Sequence, residues 1–277
     1  MKAGLDVRKI VMTIIMALIG IIFLTPFLWM ISASLKVEEE VLTFPIQWIP
    51  KTWNAVENFS EVWTGSMPFL LLYWNSIKVT VLTTLTSVIV SALAAYGFAK
   101  INFKGRDTLF FIVLATFMVP PQTLLVTQFL LYSWFGLYDT HTGLILLNSF
   151  SVFGTFMLRQ FYLGISNEII ESAKIDGAGH FRIFRSIALP LVRPAIATYA
   201  ILRFIWTWND FQNPLIFLRS QELYTIQLGV QSFADEHGSI YSLMMAASVS
   251  AIIPLLIVFV IGQKQVIEGI QLGGVKG

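Results

Sequence analysis

Six long stretches of this 277-residue sequence carry very few charged side chains. A helix needs roughly 20 apolar residues to cross the hydrocarbon core of a bilayer, because each residue advances it by about 1.5 Å. A water-soluble fold must cover its apolar core with polar residues, and these stretches contain too few of them. The sequence therefore predicts an all-α integral membrane protein with six transmembrane helices, at about 10–32, 75–99, 109–129, 144–161, 194–218 and 241–263.

The composition supports a membrane protein and argues against several other classes. Hydrophobic residues make up 56% of the chain and charged residues only 12%, whereas soluble domains are about one quarter charged. There is no cysteine, and His141, His180 and His237 lie in separate loops without metal-ligand spacing. The net charge of +2 gives no reason to expect nucleic acid binding. The sequence also lacks the phosphate-binding loop motif of ATPases.

The basic residues of the connecting loops predict the orientation, because loops rich in lysine and arginine stay in the cytoplasm. If the N-terminus is inside, the basic residues of the external loops are limited to Lys36, Lys51 and Arg219. Both termini are then cytoplasmic. A signal peptide is the alternative for the first stretch, but its apolar run exceeds the usual length of roughly 7 to 15 residues. The cytoplasmic basic residues are then Lys2, Arg8, Lys9, Lys100, Lys104, Arg106, Arg159, Lys174, Arg182, Arg185, Arg193, Lys264 and Lys276.

Two external loops are long enough to have a role of their own. The loop at about 35–74 is rich in aromatic residues and proline, which favours interfacial anchoring and short amphipathic helices. The loop at about 219–240 is more polar. Either loop could bind a partner or simply connect two spans.

The cytoplasmic loop at about 163–193 has the pattern of two short helices joined in an L. Ser166 can cap the first helix, Glu168 suits its positive end, and Gly177 and Gly179 can end it. Such a knob can sit in a cleft on another protein. The first helix is predicted to place Ile169, Ile170, Ala173 and Ile175 near one side, and Phe181, Ile183, Phe184 and Ile187 form a second apolar surface before Pro190 and Pro194.

This loop resembles the EAA loop of ABC importer permeases. The family pattern is Glu-Ala-Ala, then a glycine, then Ile-x-Leu-Pro, and this chain has Glu171, Ala173, Gly177 and 187–190 at the matching positions. Ser172 stands where the pattern has its first alanine, which replaces one small residue with another. In that family the loop is a coupling helix that docks in a groove of the ATPase subunit, and we call residues 163–193 the coupling loop. The resemblance implies coupling roles for Glu171, Ser172, Ala173, Asp176, Gly177, Ala178, Arg182, Leu189 and Pro190.

Further motifs resemble the maltose-type sugar permeases, specifically the shorter member of the permease pair. The motifs are 208–211 with 214–215, then 119–120 with Gln122 at the end of the third stretch, and the tail motifs 268–269 and 274–277. The resemblance implies a single transmembrane domain over 1–277 in the bacterial or archaeal cytoplasmic (inner) membrane. It implies a second permease subunit, two ATPase subunits that bind ATP and Mg²⁺, and an extracytoplasmic sugar-binding protein. It also implies that the loop 219–240 contacts the binding protein and that the tail 265–277 approaches the ATPases.

Residues 203–213, which we call the solute stretch, combine a charge with aromatic and amide side chains. Indole rings stack on sugars, and amides and carboxylates bind hydroxyl groups, so the stretch could line a sugar path. The same residues could instead form an interfacial belt or cap helices. The candidate residues are Arg203, Trp206, Trp208, Asn209, Asp210 and Asn213.

Other functions remain open at this point. A permease for peptides or amino acids is the alternative within the same class. A secondary transporter or channel would be expected to show intramembrane acidic sites or paired broken helices, and an intramembrane enzyme would need paired catalytic residues. Dependence of uptake on a separate ATPase distinguishes an importer permease from both.

Overall fold

The computed structural model describes residues 7–65, 69–235 and 240–274. These ranges are predominantly helical, and their β-structure is limited to one bridge between Lys36 and Trp53. The all-α prediction is confirmed for this part of the chain. The α-helices are α1 Val7–Ser34, α2 Glu38–Val41, α3 Ala55–Thr64, α4 Phe69–Lys100, α5 Arg106–Thr116, α6 Pro121–Trp134, α7 His141–Leu147, α8 Val152–Leu163, α9 Asn167–Ile175, α10 His180–Ile183, α11 Leu189–Leu191, α12 Arg193–Trp208, α13 Gln212–Phe217, α14 Ile226–Asp235 and α15 Tyr241–Gly274.

Three helices are long and apolar enough to cross a membrane within the described ranges. They are α1, α4 and α15, and they contain the first, second and last of the predicted stretches. Three further pairs of helices, each bent at a short break, pass the same test when taken together. The described part of the chain therefore has three candidate spans, or up to six if each bent pair is one span.

The third predicted stretch is not one helix. The structure has α5 and α6 there, and they meet at an angle of 96°. Pro120 adopts an extended ψ of 126° and Pro121 begins α6, where its missing N–H leaves no hydrogen bond unmade. A proline also disfavours helical conformation in the residue before it, so the two consecutive prolines interrupt the helix.

The fourth and fifth predicted stretches are also divided. Helices α7 and α8 meet at 47°, and Ser151 caps α8 by accepting a hydrogen bond from Gly154 N at 3.0 Å. The fifth helix, predicted over 194–218, ends at Trp208. A new short helix, α13, begins at Gln212, and the Asp210 carboxylate accepts a hydrogen bond from Asn213 N at 3.1 Å. Helix α12 is bent by 79° from the helical segment His180–Leu191 that precedes it.

The contacts divide the chain into two compact units. The first contains residues up to Leu70 together with Gly229–Ile253, and the second contains Leu71–Leu228 together with residues from Pro254 onward. No observation tests the prediction of a single transmembrane domain, which stays a prediction.

In the first unit, the turn after α1 is held by a buried cation. Lys36 is fully buried, its Nζ donates to the carbonyl of Gln47, and it lies 4.3 Å from the centre of a Trp29 ring. The Asn58 amide donates to the carbonyls of Ser34 and Lys36, at 3.0 and 2.8 Å. Residues 35–65 thus contain α2 and α3, two short helices of the kind that the composition of the loop 35–74 predicts.

The core of the second unit lies where α4, α8, α12 and the coupling loop meet. Tyr199 is fully buried there, and its hydroxyl lies 2.7 Å from Ser87 Oγ. Gly154 lets the Tyr199 ring approach α8, because a Cβ at Gly154 would lie 2.2 Å from Tyr199 Cζ. This packing fixes the position of the coupling loop against α4, α8 and α12. The other buried members of the cluster are Ala92, Ala95, Tyr96, Ala99, Leu158, Tyr162, Ile170, Ala173, Ile183, Phe184, Ala188, Val192 and Ala195.

Some sequence predictions fall outside the described residues. They include the basic residues Lys2 and Lys276, His237, and part of the external loop 219–240. The predicted ATPase-facing tail 265–277 is described only as backbone from 266 to 274, so its side-chain motifs also lie outside.

Candidate functional site

The first helix of the coupling loop begins and ends as its sequence predicts. Ser166 Oγ accepts a hydrogen bond from Glu168 N at 3.2 Å, and α9 runs from Asn167 to Ile175. Gly177 has a φ of +79°, Gly177 N donates to the Lys174 carbonyl at 3.0 Å, and Ala178 N donates to the Ala173 carbonyl at 2.9 Å. These two bonds form a Schellman motif, which needs a left-handed residue at its turn. Gly177 supplies that conformation without strain.

The buried face of α9 is narrower than the sequence pattern predicts. Ile170 and Ala173 are buried in the core of the second unit, at 3% and 9% exposure. The predicted neighbours Ile169 and Ile175 are instead exposed, at 46% and 86%. Because α9 has only nine residues, two buried positions one turn apart are enough to attach it.

The second half of the loop shows the same division. Ile183 and Phe184 are buried and Ile187 is half-buried, whereas Phe181 is 69% exposed. A π-type turn at 184–188 leads into the Leu189-Pro190 pair of α11, and both of these residues are partly buried. The loop is therefore attached by apolar side chains in each half.

The predicted coupling residues do not all lie on the surface. Ala173 is buried, so its side chain faces the core of this chain, and Ala178, Leu189 and Pro190 are partly buried. The remaining residues are exposed beside the apolar side chains of Ile175 and Phe181. This surface combines both signs of charge with exposed apolar area, which suits a protein partner. The exposed coupling candidates are Glu171, Ser172, Asp176, Gly177 and Arg182.

In the solute stretch, Arg203 is attached to the break between α7 and α8. Its Nη2 donates to the Asn148 carbonyl at 2.5 Å. Its Nε is buried and has no hydrogen-bond partner within the described residues. The guanidinium therefore makes a hydrogen bond through Nη2, whereas its buried Nε–H has no acceptor among the described residues.

The two tryptophans of the stretch differ in their surroundings. Trp208 is 2% exposed, stacks on Phe204 with ring centres 6.0 Å apart, and packs edge-on against Tyr73. Trp206 is 45% exposed and contacts Phe153 edge-on at 5.3 Å. Of the two indole rings, that of Trp206 has the more accessible surface.

The polar residues that follow are largely engaged within the chain. Asp210 accepts hydrogen bonds from Asn213 N at 3.1 Å and Asn213 Nδ2 at 2.7 Å, while Asn209 Nδ2 donates to the Ile205 carbonyl at 2.9 Å. The structure thus brings Asp210 and Asn213 together at the start of α13. This arrangement corresponds to the helix-capping interpretation of these residues.

An additional polar contact, not predicted from the sequence, fixes the chain just beyond the stretch. The carboxylate of Asp139 accepts hydrogen bonds from Arg219 N at 2.8 Å, Ser220 N at 3.0 Å and Ser220 Oγ at 2.5 Å. These bonds, led by the one from the Ser220 hydroxyl, lower the pKa of Asp139. Asp139 has a φ of +55°, a conformation that aspartate tolerates better than most residues. Its partners lie 80 residues away along the chain, so no local sequence signal indicates them.

The loop after α13 is also held to α4. The amide of Asn75 donates to the carbonyls of Glu222 and Tyr224, at 2.7 and 3.1 Å, and Ser76 Oγ accepts from Ile226 N at 2.7 Å. The first part of the loop 219–240 is thus held to α4 by these bonds. Among the described residues no group of three histidine, aspartate or glutamate side chains could hold a metal ion.

Comparison with protein families gives one match, which covers about two thirds of the chain. Residues 87–270 match the family described as binding-protein-dependent transport system inner membrane component. The matched segment contains the whole coupling loop and the whole solute stretch.

Individual relatives are similar over nearly the full length. The arabinooligosaccharides transport system permease protein AraQ of Bacillus subtilis (strain 168) is 33% identical over 98% of this chain and 97% of its own. The lactose transport system permease protein LacG of Rhizobium radiobacter is 30% identical over 95% and 94%. The melibiose/raffinose/stachyose import permease protein MelC of Bacillus subtilis (strain 168) is 29% identical over 100% of both chains.

Solved structures share the fold. A chain of a bacterial ABC transporter involved in the import of the acidic polysaccharide alginate aligns with a TM-score of 0.79 and 23% identity, covering 95% of this chain and 98% of that one. A second alginate transporter structure, in complex with an alginate pentasaccharide-bound periplasmic protein, aligns with a TM-score of 0.67 and 18% identity, covering 93% and 94%. At these identities the likeness concerns the fold.

Proposed function

Because this chain belongs to the family of binding-protein-dependent transport system inner membrane components, we propose that it is the permease subunit of an ABC importer for a sugar or oligosaccharide. The observation that carries the proposal is the full-length similarity to permeases named for arabinooligosaccharides, lactose, and melibiose, raffinose and stachyose. The family is a membrane component of transport systems, so the role of the chain is to move a solute. None of these named relatives favours the peptide or amino-acid alternative.

The proposed topology has six spans and two cytoplasmic termini. Three spans are α1, α4 and α15, and the others are the interrupted segments that contain α5 with α6, α7 with α8, and α12. The excess of lysine and arginine in alternate loops supports the orientation. The coupling loop then lies in the cytoplasm, and the loop 219–240 lies outside.

In the proposed mechanism, the exposed surface of the coupling loop docks on an ATPase subunit. Glu171 and Arg182 offer charged contacts, and Ile175 and Phe181 offer apolar ones. The partner ATPases bind ATP and Mg²⁺, and their closure would move the docked loop. Because Ile170 and Ile183 are buried in the core with α4, α8 and α12, the loop and these helices would move together.

A solute path along the solute stretch is the second part of the mechanism. Arg203 contributes a buried Nε donor, and Trp206 contributes an exposed indole face. Asp210 and Asn213 would act mainly by fixing the turn between α12 and α13, and Trp208 by packing. The path would be completed by a second permease subunit and loaded by an extracytoplasmic binding protein that contacts the ordered part of the loop 219–240.

The test is ATP hydrolysis by the reconstituted complex of this chain with its partner permease, ATPases and binding protein. Neutral and acidic oligosaccharides are added in turn with the loaded binding protein. We expect one of them to stimulate hydrolysis. Basal hydrolysis without stimulation by any sugar would contradict the sugar assignment and bring the peptide and amino-acid alternatives forward.

A variant tests the docking surface separately. Ser172 is exposed on α9, so Ser172→Arg adds a bulky charge to the proposed docking surface without entering the core. We expect this variant to lose stimulated hydrolysis and uptake by about tenfold or more, equivalent to roughly 1.4 kcal/mol of lost contact. The matched control is Ser60→Arg in the external helix α3, where the serine is also exposed. Equal activity of the two variants would contradict the docking role.

A further inference from the structure

A polar cleft of about 360 Å³ lies beside the coupling loop. Its walls come from the C-terminal end of α4, the start of α5 and one side of α9, all within the second unit. The cleft shares no lining residue with the solute stretch. Its polar lining residues are Lys100, Asn102, Arg106, Asn167, Glu171 and Lys174.

Lys100 is the buried cation of this cleft. The residue is 8% exposed, and its Nζ donates to the Ile165 carbonyl at 2.7 Å and to Asn167 Oδ1 at 2.8 Å. Neither acceptor carries a charge, and no carboxylate within the described residues pairs with Lys100. An ammonium has three N–H donors, so one remains beyond these two bonds. A buried positive charge without a counter-charge is unfavourable, and an anion in the cleft would relieve it.

The remaining charges of the wall leave it positive. Arg106 pairs with Asp107, at 3.0 Å between Nε and Oδ1. Lys174 makes no ion pair within the described residues, and Glu171 is the only carboxylate among the lining residues. Asp107 does not line the cleft and also pairs with Arg159, at 3.7 Å. Among the lining residues, Lys100, Arg106 and Lys174 therefore oppose Glu171, which leaves two excess positive charges.

We propose that this cleft binds a phosphate group, supplied either by the headgroup of an anionic phospholipid or by a soluble phosphate compound. The lining residues include two ammonium groups, one guanidinium and two side-chain amides, and N–H donors of these kinds suit the oxygen acceptors of a phosphate. Lys100 is the last residue of α4, one of the helices long enough to cross the membrane, and lipid phosphates lie just beyond the hydrocarbon core that such a helix crosses. Basic pockets between membrane helices on the cytoplasmic side bind such headgroups in other proteins.

The position of the cleft gives the phosphate a structural consequence. Lys174 and Glu171 belong to α9, whereas Lys100 ends α4. A phosphate held between Lys100 and Lys174 would link the coupling helix to the end of a membrane-spanning helix. Membrane composition, or a soluble phosphate compound, would then influence how firmly α9 is held.

The experiment measures binding to the purified full-length chain, without ATPases or solute, so its failure is distinguishable from failure of the proposed transport function. The variant Lys174→Gln removes an exposed charge of the cleft and leaves the buried Lys100 in place. The matched control Lys104→Gln removes the same charge from an exposed position of the neighbouring loop that does not line the cleft. We expect Lys174→Gln to weaken phosphatidylglycerol binding about fivefold and Lys104→Gln to leave it unchanged.

Competition with inorganic phosphate distinguishes the two sources. If Lys174→Gln alone weakens phosphatidylglycerol binding and millimolar phosphate does not compete, the site takes a lipid headgroup. If millimolar phosphate displaces the lipid from the unmodified chain but not from Lys174→Gln, the site takes soluble phosphate compounds as well. Equal lipid binding by the Lys174→Gln and Lys104→Gln chains would overturn the proposal, because the lipid would then respond only to general surface charge.

Discussion

The coupling loop and the solute stretch belong to the same compact unit, yet they are held in place by different forces. The coupling loop is attached by buried apolar side chains, such as Ile170 and Ile183, while Glu171 and Arg182 remain exposed. The charged side chains of Glu171 and Arg182 are therefore accessible to another protein. One side of the loop is thus packed against the core of the second unit, and the other side is exposed.

The solute stretch is held mainly by polar contacts within the chain. Arg203 donates to a backbone carbonyl, Asp210 accepts two bonds from Asn213, and Trp208 is buried between aromatic rings. Few of its polar groups remain for a solute. The comparison teaches that residues of the same type have different availability depending on whether burial or hydrogen bonding positions the segment.

The largest expected effect tests the burial of the coupling loop. Ala173→Arg forces a charge into the core, and we expect it to lower the free energy of unfolding by on the order of 3 kcal/mol or more. The neighbouring Ser172→Arg is exposed and should change it by less than about 0.5 kcal/mol. Thermal unfolding of the two purified chains gives the difference. Similar unfolding temperatures would break the comparison, since α9 would then not be held by burial.

A smaller effect tests the turn that ends α9. Gly177 has a left-handed φ of +79°, so Gly177→Ala should cost about 1–2 kcal/mol although no atom would contact the added Cβ. Gly179 has a φ of −71° and equally open space, so Gly179→Ala is the matched control with little or no cost. Denaturant unfolding of both variants measures the effect. An equal loss in the two would mean that the turn conformation is not what stabilises the loop.

The next prediction separates capping from solute contact in the solute stretch. Asp210→Ala removes the acceptor at the start of α13, and we expect a loss of about 1 kcal/mol in stability with little change in the KM for sugar uptake. Trp206→Ala removes an exposed indole and should raise that KM with a smaller stability change. Uptake kinetics and thermal unfolding are measured on the same reconstituted samples. A raised KM for Asp210→Ala alone would reverse the two assignments.

The smallest effect concerns the segment that follows α13, which Asp139 holds, and it depends on pH. Hydrogen bonds from Ser220 and the Arg219 backbone depress the pKa of Asp139. Its contribution to stability is therefore complete above the unfolded pKa, about 3.9, and is lost as pH falls through the lower folded value. We expect the acid-side loss to stay below about 1 kcal/mol because the group is only half-buried and solvent screens its charge.

The variant Asp139→Asn isolates this titration. It should be less stable than the unmodified chain at neutral pH and should lose less stability between pH 5 and pH 3. Thermal unfolding across that interval compares the two chains. Parallel pH profiles would show that Asp139 does not hold the loop through its charge.

Much of the coupling loop could be predicted from the sequence because its signals are local. The Ser166 cap and the Gly177 turn act within a few residues, and the structure has both. The width of the buried face could not be predicted in the same way. Ile169 and Ile170 are neighbours of the same chemical type, and only the packing of α4 and α8 decides that the second is buried.

The membrane helices show the same limit. The apolar stretches predicted where helices form, and the prolines at 120 and 121 are visible in the sequence. The angle of 96° between α5 and α6 is not, because a proline permits a bend and the neighbouring helices set its size. The end of α12 at Trp208 also depended on Asp210 starting a new helix rather than continuing the old one.

The sequence by itself determined the membrane-protein class, the helical content and the local caps. Helical hydrogen bonds join residues only four apart, and the length of an apolar stretch shows whether it can cross a bilayer. Only the tertiary structure decided which polar groups are free. Asp139 meets Ser220 across 81 positions and Lys100 meets Ile165 across 65, and no periodicity encodes either pairing. Such contacts form only when separate helices pack, so the availability of a side chain to a partner is a property of the folded protein.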